Sequence, residues 1–223
     1  MTQMQRETVP VGAVRERLGD GRTLAGVLFF TLAAQFMTVI MLAAAMVPGY
    51  NFNTAAISDL GVFPETALLF NVSLVVVGVF NLLGGYAFYR THGTRWLLAL
   101  FGIAGLGAIV AGLFPLGTSD LHSLGALLAF LFFNLQALGT ATRLDGAMKA
   151  VSILAGVVGL VFVALMIVGD SGNAAAFGVI GHGGTERMIV YPPMMWLVAF
   201  GGYLMATPGR RGVSTDAPTA GAD

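Results

Sequence analysis

The sequence predicts an all-α, polytopic membrane protein with six transmembrane helices. Three observations carry that prediction. The 223 residues are 57% hydrophobic and only 10% charged, whereas soluble domains usually carry about 25% charged residues. The few charges also punctuate the chain. No Lys, Arg, Asp or Glu lies between Arg22 and Asp59, Glu65 and Arg90, Arg95 and Asp120, Asp120 and Arg143, Lys149 and Asp170, or Arg187 and Arg210. Each of these gaps supplies the roughly 20 apolar residues that a spanning helix needs. Thirdly, the basic residues are one-sided: of the 11 Lys and Arg, all but Arg187 fall in the leader, in the turns after helices 2 and 4, or at Arg210 and Arg211. That bias places both termini in the cytoplasm of a cell-membrane protein.

Residues 1–22 read as a polar cytoplasmic leader, in which Val11, Val14 and Leu18 have the spacing of a short surface helix. Helix 1 is expected over about 24–47, ending at Pro48-Gly49; this apolar run is too long for a signal peptide. Gln35 is expected to bond a neighbouring helix. The loop 49–65 has no basic residue, and its Asn51, Asn53, Ser58, Asp59 and Glu65 are interspersed with apolar residues, so it should lie against the protein on the outside. Pro64-Glu65-Thr66 opens helix 2, proline and acid both suiting a first turn. Asn71, Gly78 and Gly85 recur every seven residues and should meet a neighbour closely.

Arg90, His92 and Arg95 make the next turn, and helix 3 carries Ala104, Ala108 and Gly112 at spacings that let backbones approach in lipid. Phe114-Pro115-Leu116-Gly117 returns the chain outside, and Ser119-Asp120-Leu121-His122 begins helix 4, with Asn134 and Gln136 deeper. Arg143 and Lys149 flank the turn into helix 5, which runs to about Gly169. Helix 6 is expected from about 185 to 206, kinked at Pro192-Pro193. Started only at Pro193 it would reach about 21 Å, short of a hydrocarbon core of about 30 Å. The transmembrane domain is therefore 23–207, and the tail 208–223, rich in Pro, Ser, Thr and Gly, is expected to be disordered. Ser58-Asp59-Leu60 and Ser119-Asp120-Leu121 hint at a repeated hairpin.

The absence of cysteine excludes disulfides and thiolate metal sites. Topology gathers Ser58, Asp59, Glu65, Asp120, His122, Asp170, His182, Glu186 and Arg187 at the outer face. An ionisable side chain costs about 2.5–3.5 kcal/mol at the centre of a membrane helix and less near the interface. This cluster is accordingly where function is sought. Some members have capping roles: the Asp120 carboxylate suits a helix N-terminus, and Thr185-Glu186 resembles a cap followed by a first-turn acid. Asp120 and His122, two apart, should point to nearly opposite sides of a helix. Arg187 lies at the positive end of a helix, where a cation asks for an acid or an anionic ligand. Asp59 and Glu186 are its natural partners, and Tyr191 is four residues on, within packing reach.

Three arrangements follow. In the first, an Asp59–Arg187 ion pair and its neighbours lock helices 2, 4 and 6. In the second, Arg187 and the N-termini of even helices bind an anionic group, such as a lipid phosphate or carboxylate. In the third, His122, His182 and Glu186 hold a metal that activates water, although Gly183-Gly184 can break the helix between the last two. The candidate catalytic groups are Ser58, Asp59, His122, His182 and Glu186. The candidate ligand-binding groups are Arg187, Asp59, His122, Glu186 and Tyr191.

Ile57-Ser58-Asp59-Leu60-Gly61, Phe70-Asn71, Gly112 through Pro115, His122 and the Glu186-Arg187…Tyr191-Pro192…Trp196 run resemble the six-helix membrane family called domain of unknown function 998. The resemblance covers about residues 24–206 and implies the six-helix fold without an activity. A more distant similarity is to membrane metal-hydrolases of the alkaline ceramidase type, which also combine Ser, Asp and His. Those use a His-x-x-x-His pair that this chain lacks. The expectation is an integral membrane protein with an outward polar pocket, structural or binding an anionic lipid or small ligand. An intramembrane metal-dependent lipid hydrolase is the alternative. Membrane lipids are the expected partners, with no nucleic acid, no cofactor, and room for a homo-oligomer through the small-residue faces.

Overall fold

The computed structural model describes residues 20–206. The leader helix through Val11, Val14 and Leu18 and the tail 208–223 lie outside the described residues. Six helices are long and apolar enough to cross a membrane: α1 Gly21–Met46, α2 Ala67–His92, α3 Arg95–Leu113, α4 Asp120–Ala141, α5 Gly146–Asp170 and α6 Gly181–Ala206. The chain is a multi-pass membrane protein. Two 3-10 segments, Ser58–Gly61 and Ala174–Ile180, lie in the long connections before α2 and α6.

Local chemistry sets the helix ends. Asp20 caps α1 by accepting from the Arg22 N–H at 3.2 Å. Val47, extended, and Phe114, out of the helical region, each precede a proline and end α1 and α3. Gly93 closes α2 in the left-handed conformation, φ 68°, and its N–H returns to the Tyr89 carbonyl. For α4 the cap is Ser119, whose Oγ accepts from Leu121, so Asp120 is the first helical residue rather than the cap. Nor does α6 begin at Thr185. It starts at Gly181 and continues through Gly183-Gly184, and the Thr185 hydroxyl donates to the Gly181 carbonyl inside the helix. The non-helical break is Gly178, φ 55°, inside the 3-10 segment that precedes α6.

In space the helices form a closed ring in chain order, each packed on its neighbours, with α6 returning to α1 and α4 also touching α6. Glycines make the ring tight. An added Cβ at Gly78 would lie 2.4 Å from the Gly105 carbonyl oxygen, one at Gly107 would lie 2.8 Å from that of Gly125, and one at Gly26 would lie 2.7 Å from that of Gly201. The face Asn71, Gly78, Gly85 thus meets α3, at Gly112, Gly105 and Phe101 respectively. These small-residue faces pack within one chain.

That geometry makes a sharp contrast between glycines. Gly78→Ala should destabilise the protein by about 1–3 kcal/mol, because two backbones would have to part. Gly102→Ala, where a Cβ meets nothing within 4 Å, should be neutral or stabilising by up to about 1 kcal/mol through helix propensity alone. Thermal melts in detergent would compare them, and equal losses would contradict the packing.

Aromatic rings fill the half of the bundle next to the short α2–α3 and α4–α5 turns. Phe29 stacks on Phe101 at 5.0 Å and Trp196 on Phe200 at 5.0 Å, with Phe88 edge-on to Phe200. Buried amides cross the middle: Asn81 and Gln136 bond each other, and Gln35 bonds Ser73. Both prolines of the kink lie inside α6. Pro193 has no N–H for the carbonyl four residues back, and the Asn134 amide from α4 donates to that Ile189 oxygen at 3.1 Å. The opposite half of the bundle, toward the long loops, is packed by Phe36, Leu60 and Phe70 but leaves a cavity there.

Candidate functional site

The connection from Val47 to Thr66 is tied to the first turns of α6 by two adjacent buried side chains. Arg187 is 7% exposed and Glu186 4%. Arg187 Nη1 donates to the carbonyls of Phe52, Ala55 and Gly183 at 2.7–2.9 Å, and Nη2 to the Tyr50 hydroxyl at 2.8 Å. Its guanidinium also lies 4.7 Å from the Phe52 ring centre and 5.5 Å from that of Tyr50, the arrangement that favours arginine over lysine. Glu186 reaches the next stretch of loop, accepting from the Ile57 N–H at 2.5 Å and the Ser58 N–H at 3.4 Å. Gly183 allows this approach. Its N–H donates to the Asn53 carbonyl, and any Cβ there would lie 2.1 Å from the Ala55 oxygen.

The expected Asp59–Arg187 ion pair does not form. Among the described residues the one ion pair joins His182 to Asp170 at 3.4 Å, and both are well exposed. Asp59 instead closes its own turn, accepting from the Ala56 N–H at 2.8 Å. Tyr191 packs against the hydrophobic core, and the rings facing Arg187 are those of Tyr50 and Phe52. Tyr50 donates to the Ala56 carbonyl at 2.6 Å. Burial pushes its hydroxyl above the ordinary tyrosine value, with Arg187 pulling the other way. Sequence reasoning missed both rings, although two aromatics in the loop facing Arg187 were a usable signal.

Beneath this loop lies a cavity of about 60 Å³, lined almost wholly by apolar side chains of α1, α2, α3, α4 and α6. Three polar residues reach it: Ser58, His122 and Glu186. The His122 ring is buried, and its Nδ1 faces the carbonyls of Ala111 at 3.1 Å and Phe114 at 2.9 Å. Carbonyls only accept, so Nδ1 carries a proton, and in the neutral ring Nε2 is left as an acceptor. Asp120, two residues earlier, is exposed, as the helical spacing requires.

Of the five catalytic candidates, the fold brings Ser58, His122 and Glu186 to one cavity. Asp59 and His182 do not line it. His182 is on the surface, edge-on to Phe177, and among the described residues no three His, Asp or Glu side chains are placed to share a metal. Arg187 does not line the cavity either; its donors face the loop. The two Ser-Asp-Leu copies also diverge: one forms the 3-10 turn Ser58–Gly61, the other starts α4. A family described as "Protein of unknown function (DUF998)" matches residues 14–203. No curated protein and no solved structure matches the chain.

Proposed function

The chain belongs to the DUF998 family of proteins of unknown function, and we propose that it is a ligand-binding protein of the cell membrane. Its chamber lies in the non-cytoplasmic half, beneath the loop that Glu186 and Arg187 hold down. One observation carries the reading: Ser58, His122 and Glu186 are among the residues lining a cavity that is otherwise apolar. Protein interiors are packed to crystal-like density, and a mostly apolar pocket with a few polar groups is where a small-molecule site is first sought. A hydrolase reading has less support, because His122 is oriented by two carbonyls rather than a carboxylate.

Both termini are assigned to the cytoplasm. Arg90, Arg95, Arg143 and Lys149 all lie at the short-turn end of the bundle, where α1 also begins at Gly21. One experiment tests side and site together. With no native cysteine, Asn53→Cys, Ser58→Cys and Arg95→Cys each report alone. An impermeant thiol reagent outside intact cells should label positions 53 and 58 and leave 95 unlabelled. In purified protein, a total lipid extract of the source membrane should slow labelling at 58 and not at 53. Outside labelling at 95 would reverse the orientation. An unchanged rate at 58 would remove the chamber.

A further inference from the structure

Granted that the cavity is a binding chamber, we infer that its ligand presents a hydrogen-bond donor, the hydroxyl or ammonium head of an amphiphile, and not an anion. The polar residues that line the cavity carry acceptors. His122 Nδ1 is committed to the Ala111 and Phe114 carbonyls, which leaves Nε2 as a lone-pair acceptor. Glu186 has one oxygen facing the Ile57 N–H and the other facing the Ser58 N–H. Both oxygens therefore act as acceptors, and a carboxyl oxygen has further lone pairs to offer. The Ser58 hydroxyl can serve either way.

No lysine or arginine lines the cavity with them. Arg187, next to Glu186 in sequence, does not line the cavity, and its Nη donors are held by Phe52, Ala55, Gly183 and Tyr50, while its buried Nε has no partner. An anionic head would find few free donors in this apolar surround, because the His122 N–H is already committed to carbonyls and the Glu186 oxygens to backbone N–H groups. A hydroxyl or ammonium would satisfy both acceptors. The volume fixes how much of the ligand enters. At about 10–15 Å³ for each water-sized group, a cavity of about 60 Å³ takes the head and the first few carbons. The remaining chain must leave between helices toward the lipid.

Three photoactivatable probes with one diazirine-bearing chain and different heads test this: decanol, decylamine and decanoic acid. They are crosslinked to the purified full-length protein in nanodiscs, and the labelled peptides are mapped by mass spectrometry. The alcohol and the amine should label the cavity-lining parts of α4 and α6 at least about tenfold more than the acid. Unlabelled decanol should compete and decanoate should not. His122→Ala should reduce labelling by the alcohol about tenfold, the loss of one buried hydrogen bond. Ala126→Leu and Ala129→Leu, which fill the cavity, should abolish labelling by all three. Ala126 is only half-buried, so at least that variant should fold, which gel filtration will verify. Equal or greater labelling by the acid, abolished by Ala126→Leu, would overturn the donor inference and leave the chamber standing. Labelling that neither filling variant changes would overturn the chamber, and the inference with it.

Discussion

Replacing Arg187 by alanine should cost about 3–5 kcal/mol of stability, a large loss for a single substitution. The side chain donates four hydrogen bonds, three of them to loop and helix carbonyls, and lies against two aromatic rings. Hydrogen bonds to a charged group contribute about 1.5–3 kcal/mol each. Their sum overstates the loss, because water can reach part of a freed loop. At about 2–4 °C per kcal/mol for a chain of this length, the melting temperature in detergent should fall by roughly 10 °C. Arg187→Lys should fall between, since an ammonium cannot fork to several carbonyls and stacks poorly on rings. Arg90 is the control: it is exposed and bonds only Tyr86 on its own helix, so Arg90→Ala should stay within about 0.5 kcal/mol. If Arg187→Ala and Arg90→Ala melt alike, the clasp does not hold the loop.

The fold was legible because lipid enforces simple rules. Backbone groups must be satisfied within helices, so uncharged runs of sufficient length became α1 to α6, with ends displaced by a few residues. Proline and glycine punctuation at Pro48, Gly93 and Pro115 stopped helices where the dihedral rules require. The site was only partly legible. Arg187 stood out as the one cation away from the basic side, yet its partners were assigned wrongly. A carboxylate is visible in a sequence as a letter, whereas the carbonyls of Phe52, Ala55 and Gly183 belong to every residue and carry no mark. Only the path of the loop brings them to the guanidinium. Likewise, Ser58, His122 and Glu186 are each more than sixty residues apart in the chain. Their convergence depends on the ring closing in chain order, which periodicity does not reveal. Gly183-Gly184 reads as a possible break in the helix, but α6 continues through it and Gly183 admits the loop backbone.

Glu186 and Arg187 should prove strongly coupled although they form no ion pair with each other. Arg187 holds the loop at 50–55 and Glu186 holds it at 57–58, so each maintains the position the other needs. Glu186→Ala alone should cost about 2–4 kcal/mol, because the Ile57 and Ser58 N–H groups lose their acceptor and an unpaired buried donor costs about 1–3 kcal/mol. Glu186→Gln should cost less, since its carbonyl oxygen still accepts from Ile57. Once either residue is gone and the loop has lifted, the other has little left to hold. The double variant Glu186→Ala/Arg187→Ala should therefore lose at least about 1 kcal/mol less than the sum of the single losses, within the range found for residues sharing one network. Denaturant unfolding of the four proteins closes the cycle, and limited proteolysis should cut near residues 52–58 in all three variants and spare the wild type. Losses that add within about 0.3–0.5 kcal/mol, the behaviour of independent sites, would mean that two separate anchors, and not one clasp, keep the loop over the cavity.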